Sequence, residues 1–573
     1  MDGFIVPRAD EHQGEYVPPG EERLAWLTGF TGSAGLAIVL SGKAPLFADG
    51  RYTTQARKQT DNQAFSVVAS HVTSPEAWLK QNLGKGMALG YDARLLTDGM
   101  VARYEAIAKT SGARLVALEA NPIDAIWLDR PAAPLGAITQ HPLKFAGETA
   151  ERKIARVGKA LRAEKLDALV VSDPHSVAWL MNIRGADIGH TPLPLSYALV
   201  PAEGRPVLFA DGRKFSNSVR AAVSAVTDIE EPSRLAQALV ERAKAGQKIR
   251  LDAASAGASL KTLITQNGGT ADVGADPVAL MKAPKNAAEI RGARAAHLRD
   301  GLAICRFLAW LDREAPKGKL TEIDACKALE TFRRDTGKLK QIAFPTIAGA
   351  GPNSALPHYR STERSNRRIT SGIFLCDSGA QYEDGTTDIT RTIAVGKPSA
   401  EMKDRNTRVL KGHIAIARAV FPEGTSGAQI DAFARQFLWE AGLDFDHGTG
   451  HGIGSYLSVH EGPHRISKLG HVPLQPGMLL SNEPGFYAEG KWGIRIENLL
   501  LVERRKIKGG NRAMLGFETL TLAPIDKRLI DLRLLTPAER AWLNAYHSKV
   551  YKALAPGLDQ VLTAWLRRAC ARL

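Results

Sequence analysis

Apolar and polar positions alternate along this chain in two distinct periods. Short apolar, β-branched runs ending in turn residues occur at Ile5-Val6, 35–40, 168–171 and 197–200. Such runs predict strands. Helical-period stretches lie between them, at 151–165 and 233–245. The pattern also repeats. Leu166-Asp167-Ala168-Leu169-Val170-Val171 echoes Met1-Asp2-Gly3-Phe4-Ile5-Val6, and Ala178-Trp179-Leu180 echoes Ala25-Trp26-Leu27. Ala210-Asp211-Gly212-Arg213 repeats Ala48-Asp49-Gly50-Arg51. The order is kept while the spacing drifts, so the first half reads as two copies of one α/β domain. In the second copy a helix at 151–161 precedes the first strand. In the first copy the chain starts at the strand, so that leading helix is expected to be absent.

A longer helical period follows over 287–313, where Leu298, Leu302, Cys305 and Leu308 recur at steps of three and four and predict the buried stripe. Linker-like stretches at 131–147 and 281–286 divide the chain into expected domains at 1–140, 141–284 and 285–573. A chain of 573 residues accommodates three such domains at roughly 100–200 residues each.

Composition narrows the class. With 44% hydrophobic and 24% charged residues, the chain reads as an ordinary soluble protein, neither collagen-like nor mostly disordered. No apolar run approaches the roughly 18–20 residues of a membrane span. Met1-Asp2-Gly3-Phe4-Ile5-Val6-Pro7-Arg8 lacks the basic region and apolar stretch of a signal peptide. No membrane partner is expected. Cys305, Cys326, Cys376 and Cys570 are scattered with no C-x-x-C spacing, which fits a reducing cytoplasm. The net charge is +15. Its Lys and Arg are mixed with acids along the whole chain, with no long basic run, zinc-finger spacing or aromatic RNA-binding signature. The charge reads as a basic surface, and no nucleic-acid partner is expected.

The chemistry concentrates in the last region. His447, His451, His460, His464 and His471 fall close together, five of the 14 histidines in the chain, and imidazole ligates metals and titrates near neutral pH. Glycines interleave them in His447-Gly448-Thr449-Gly450-His451-Gly452-Ile453-Gly454, where they permit close backbone approach or positive φ. Phe374-Leu375-Cys376-Asp377 reads as a buried strand ending in an acid, and Asp384–Thr392 as a turn and returning strand. A hairpin centred near Tyr382 and Glu383 would set Asp377 roughly opposite Asp388. Two acids so close call for a cation between them. Glu483 ends the apolar run Leu479-Leu480-Ser481-Asn482. The alternation over 493–500 puts Arg495 and Glu497 on one face. Acids inside apolar strands are disfavoured unless paired or metal-bound. Two aspartates, two glutamates and a histidine form a hard donor set suited to two divalent ions such as Mn²⁺, with Co²⁺ or Zn²⁺ as alternatives.

These residues resemble the creatinase-like, or pita-bread, metallopeptidases. The resemblance is carried by Gly29-Phe30-Thr31-Gly32-Ser33-Ala34-Gly35, Asp49-Gly50-Arg51-Tyr52, Cys376-Asp377-Ser378-Gly379, the 447–454 run, Val459-His460-Glu461-Gly462-Pro463, Ser481-Asn482-Glu483-Pro484-Gly485 and Trp542-Leu543-Asn544-Ala545-Tyr546-His547. It spans essentially the whole chain. It implies two creatinase-like α/β domains followed by a pita-bread α+β catalytic domain. It further implies hydrolysis of the N-terminal Xaa-Pro bond of peptides, using water activated by two Mn²⁺ ions per subunit, in a cytoplasmic homodimer. Asp377, Asp388, His451, Glu483 and Glu497 would be the metal ligands, with Asp388 and Glu497 bridging both ions and Glu483 also acting as the catalytic base. His358 and His460 would hold the substrate and stabilise the intermediate, His447 would line the pocket, and Arg51 would reach toward bound peptide. A prolidase acting on Xaa-Pro dipeptides shares this metal site but resembles a two-domain chain. A non-catalytic pita-bread binding protein would lose ligands, and all five are present here.

Overall fold

The computed structural model describes residues 1–573. The chain divides into two compact units, Met1–Lys282 and Ala283–Leu573. Within the first unit, strands β1 (Gly3–Pro7), β2 (Gly35–Leu40), β3 (Pro45–Ala48), β4 (Ser66–Ala69), β5 (Ala88–Tyr91) and β6 (Arg114–Ala117) form one sheet in the order β4-β3-β2-β1-β5-β6. A second sheet has strands β7 (Ala168–Val171), β8 (Tyr197–Pro201), β9 (Val207–Phe209), β10 (Asp228–Glu230), β11 (Lys248–Asp252) and β12 (Thr270–Gly274). Its order, β10-β9-β8-β7-β11-β12, matches the first strand for strand. In both sheets the first strand pairs antiparallel with the second and the second with the third. The outer pairs are parallel and need crossovers. The sequence repeat is thus a repeat of topology.

The helical periods fall where expected. Helix α1 (Ala150–Ala163) precedes β7, with the Thr149 side chain accepting the Arg152 N–H at its N-terminus. Helix α2 (Arg234–Lys244) buries Leu235, Leu239 and Ala243. No helix precedes β1.

The second unit opens on α3 (Ala287–Glu314), started by a reciprocal cap between Asn286 and Glu289. The expected stripe holds at Cys305 and Leu308, both buried, and at the partly buried Leu302, but fails at its first position. Leu298 is 41% exposed, while Ala296, His297, Asp300, Ile304 and Leu311 are buried. The cause is Asp300, which turns inward to Arg333 of α4 (Glu322–Arg334) and accepts Nε at 2.8 Å and Nη2 at 3.0 Å. Tyr382 OH and Thr387 Oγ1 each donate to the same carboxylate at 3.0 Å. A pattern that counts acids as outward misses a buried position held by a paired acid.

Strands β13 (Gln341–Ile342), β14 (Ile347–Ala350), β15 (Gly372–Tyr382) and β16 (Gly385–Val395) form one sheet, with β15 and β16 as a long hairpin. A second sheet runs in the order β17-β24-β23-β20-β18-β19, from β17 (Phe421–Pro422), β18 (Gly450–Gly452), β19 (Glu461–Ile466), β20 (Leu479–Asn482), β23 (Asn498–Arg505) and β24 (Met514–Thr519). Strands β21 (Gly485–Ala488) and β22 (Trp492–Arg495) pair with each other. Helices α5 (Ala400–Ala417), α6 (Gly427–Trp439), α7 (Pro537–Leu554) and α8 (Gln560–Ala569) complete the unit. Apolar side chains from α5 and α7, among them Val409, Leu410, Leu543 and Val550, pack with Ile494 and Ile496 in one core cluster. No helix is long and apolar enough to cross a membrane.

The Asp300–Arg333 pair ties α3 and α4 to the hairpin. Asp300→Ala strands a buried guanidinium and should cost about 3–5 kcal/mol, read as a lower denaturant midpoint. A change below about 1 kcal/mol would show that the pair is not a tie.

Candidate metal centre

Asp377 and Asp388 project from β15 and β16 and are both buried, 8% and 4% exposed. They are not directly opposite, as the sequence suggested. The turn falls one position later, at Glu383-Asp384, so Asp377 faces Thr390 and Asp388 faces Gly379. The two acids become diagonal neighbours on one face, still within side-chain reach. Cys376 lies on the opposite face of β15, in an apolar cluster, so its thiol stays out of the donor set.

Glu483 follows β20. Its N–H donates to Thr449 O at 2.8 Å, and its Oε1 accepts from Ser481 Oγ at 3.0 Å. Glu497 sits between β22 and β23. The alternation over 493–500 reads as one strand, yet it breaks after Arg495 into strands of different sheets. The break brings Arg495 and Glu497 to the same hydroxyl. Thr390 Oγ1 donates to Glu497 Oε2 at 2.7 Å and accepts from Arg495 Nε at 3.2 Å.

His451 lies on β18. Its Nδ1 is 2.9 Å from Gly452 O and donates to it, which turns the Nε2 lone pair toward Asp388 Oδ2 at 3.6 Å and Glu483 Oε1 at 3.3 Å. The surrounding glycines serve close approach rather than positive φ. A Cβ on Gly450 would lie 1.9 Å from Ser481 O, and one on Gly452 would lie 2.2 Å from Glu461 O.

The histidine cluster divides. The His460 ring stands edge-on to His451, with centroids 4.2 Å apart. His447 Nε2 accepts from Tyr487 OH at 2.9 Å. Tyr487 OH in turn accepts from Arg495 Nη1 at 2.6 Å, and Arg495 Nη2 donates to Asp377 Oδ2 at 2.6 Å. His447 is therefore linked to Asp377 through Tyr487 and Arg495. Tyr487 carried no motif signal, whereas Arg495 was visible beside Glu497. His358 follows Pro357, whose carbonyl accepts from Arg495 Nη2 at 3.2 Å. His464 is buried with Nε2 on Leu479 O at 2.9 Å and serves the fold, while His471 is exposed. Arg51 lies in the first unit, its guanidinium held by Asp49 at 2.5 Å, and Arg213 repeats that turn with Asp211 at 2.6 Å.

Ligand atoms of Asp388, His451 and Glu497 all lie within 4.8 Å of one another. Burial raises the proton affinity of Asp388 and of Glu497, and the negative charges of their neighbours raise it further. Glu483 is pushed up to about 7, by burial and by Asp377 against the opposing pull of Arg495. Asp377 Oδ1 and Asp388 Oδ1 are buried and accept no hydrogen bond. Three buried carboxylates and the half-buried Glu483 around one guanidinium, with two oxygens left unused, fit a centre for divalent cations.

The match to known proteins agrees. Residues 291–504 match the model for metallopeptidase family M24, and 513–573 match its C-terminal region. Residues 1–126 and 129–289 each match a creatinase/prolidase N-terminal domain. A probable Xaa-Pro aminopeptidase P from Laccaria bicolor is 39% identical, over 100% of this chain and 91% of that protein. The chain belongs to metallopeptidase family M24. Another M24 relative, a probable Xaa-Pro aminopeptidase P from Coccidioides posadasii, is 40% identical over 99% of this chain and 90% of its own length. The Caenorhabditis elegans X-prolyl aminopeptidase, described as a cytosolic enzyme with a dinuclear active site, superposes with a TM-score of 0.96 at 35% identity, covering 100% of this chain and 95% of that one. The Xaa-Pro dipeptidase of Bacillus anthracis reaches a TM-score of 0.53 at 26% identity, covering 66% of this chain and 99% of its own. The α/β and pita-bread architecture expected of an M24 chain is therefore the one observed.

Metal-free protein should feel its carboxylates. A group that binds its proton more tightly when folded than when unfolded stabilises the fold at low pH. That contribution fades as pH rises from about 4, the unfolded value, through about 7. The gap in Tm between metal-loaded and chelated protein should therefore widen from pH 5 to pH 8. A constant gap would contradict the placement of these acids.

Proposed function

We propose that this chain is a metallo-aminopeptidase that removes the first residue from peptides carrying proline second. The observation that carries the reading is the pair of unused buried oxygens, Asp377 Oδ1 and Asp388 Oδ1, inside a cluster of four acids. Asp377, Asp388, His451, Glu483 and Glu497 would hold two divalent ions, with Asp388 and Glu497 shared between them. The oxygen-rich set favours Mn²⁺, with Co²⁺ or Zn²⁺ as alternatives. Ions bound there lower the pKa of water and polarise a carbonyl.

The protein's own groups do the rest. Glu483 takes the proton of the attacking water and passes it to the leaving imino nitrogen. His460, beside His451, and His358 hold the substrate and stabilise charge on its carbonyl oxygen. His447, fixed by Tyr487, lines the pocket for the first residue or its proline neighbour. A bond into proline has no N–H, so a pocket around the ring need not satisfy a buried donor. Arg51 binds the peptide beyond proline, through main-chain carbonyls or a C-terminal carboxylate. The resemblance supports a homodimer, and the description of the Caenorhabditis elegans relative supports the cytoplasm.

A dipeptidase is the second reading. The Bacillus anthracis Xaa-Pro dipeptidase is matched over nearly all its own length by about two thirds of this chain, which leaves a domain's length beyond it and favours longer substrates. Release of the first residue from an Xaa-Pro-Yaa peptide should therefore be faster than from an Xaa-Pro dipeptide. The reverse preference would move the assignment to prolidase.

Asp388→Ala and Glu497→Ala should abolish activity by releasing ions. His447→Ala should cost about 10–100-fold, as loss of an outer partner usually does. The ranking of roles is wrong if His447→Ala is the most damaging of the three. Arg51→Ala should weaken cleavage of tripeptides and longer peptides with metal content unchanged, while Arg213→Ala serves as control. Identical kinetics in both variants would make Arg51 a surface turn.

A further inference from the structure

Behind the two glutamates runs a buried polar array that the reaction above does not use. Its centre is Arg391 on β16, 3% exposed. Its side chain reaches no carboxylate. Nη1 donates to Thr390 O at 2.9 Å and to Glu497 O at 2.7 Å. Nη2 donates to Asn498 Oδ1 at 2.9 Å, Ala523 O at 2.8 Å and Tyr546 OH at 3.0 Å, and Nε donates to Pro524 O at 2.9 Å. A guanidinium has five N–H donors, and every one has an acceptor here. This single side chain therefore joins the hairpin, the main chain of Glu497, the segment after β24 and helix α7.

The array continues to the other glutamate. Asn498 Nδ2 donates to His413 Nε2 at 3.1 Å. His413, fully buried on α5, donates from Nδ1 to Asn482 O at 3.1 Å, and Asn482 Nδ2 returns a bond to His413 O at 2.9 Å. The accepting role of Nε2 fixes the neutral tautomer, and burial together with Arg391 pushes the ring pKa down to about 3. Asn482 immediately precedes Glu483, and Asn498 immediately follows Glu497. The bonds thus fall on the main chain beside two side chains of like charge that must face each other across a gap.

Buried unpaired charge is costly, and an apolar side chain at position 391 would pack against α7 without desolvating a cation. The placement makes sense if the guanidinium does something packing does not. It holds four carbonyls in fixed directions and puts a positive charge beneath Glu497. We infer that Arg391, with His413 and Asn498, is a positioning array that sets Glu483 and Glu497 against each other and thereby sets the metal affinity of the centre. The inference rests on the reading of these glutamates as ligands. It also gives a role to the segment after residue 513, since Ala523, Pro524 and Tyr546 supply half of the contacts to Arg391.

The test is Mn²⁺ binding to chelated full-length protein, measured by calorimetry, with Tm recorded alongside. Arg391→Met should raise the Mn²⁺ Kd by about 10–100-fold, while KM for an Xaa-Pro-Yaa peptide at saturating Mn²⁺ stays within about twofold. Arg391→Lys, with three donors for six acceptors, should fall between wild type and Met. Tyr546→Phe removes one hydroxyl from the array and should shift the Kd in the same direction by less. Wild-type Kd in both Arg391→Lys and Tyr546→Phe, with only Tm lowered, would overturn the inference and leave Arg391 a tie of the fold. Those two variants decide the matter even if Arg391→Met fails to fold. Wild-type protein that takes up no Mn²⁺ would overturn the ligand reading itself, and this inference with it.

Discussion

The mutual repulsion of Asp377, Asp388, Glu483 and Glu497 is the constraint around which the second unit is organised. Four clustered acids, three of them buried, do not stay together around one arginine for their own sake. Two strands of the hairpin, the end of β20 and the break between β22 and β23 must each hold one acid in place. The packing around them is correspondingly over-determined. Thr390 bonds both Glu497 and Arg495, and Asp300 and Arg333 brace the hairpin from its far side. Arg391 braces it from below. Divalent cations held there would supply the attraction that offsets this repulsion.

Much of this was legible in the sequence, because the signals were local. Apolar runs located β1, β2, β7 and β8, and the recurring Asp-Gly-Arg turn exposed a duplication that the two sheets reproduce strand for strand. The acids and the histidine that the structure brings together were legible too, since acids and histidines among glycines and apolar strands have few other uses. What failed was register. The hairpin turn lay one residue from its expected centre, a shift that local composition does not encode. The 493–500 alternation hid a strand break, because periodicity continues through a kink when the next strand begins in phase. On α3 only Leu298 of the expected stripe is exposed, and the burial of Asp300 went unseen because its partner lies over thirty residues away. Long-range pairing of this kind leaves no periodic trace, and the same holds for Tyr487, Arg391 and His413.

The first unit carries no acid–histidine cluster of this kind, and its Arg51 sits in a turn that recurs at Arg213. The two turns nonetheless differ in setting, with the Arg51 side chain 26% exposed and that of Arg213 73% exposed.

The most direct test of the central claim couples activity to occupancy. Chelated protein is titrated with Mn²⁺ while bound metal and release of the first residue from an Xaa-Pro-Yaa peptide are measured on the same samples. The account predicts no hydrolysis without metal and activity that saturates as two ions bind per chain. Full hydrolysis by metal-free protein, or hydrolysis that rises with no ion bound, would contradict it.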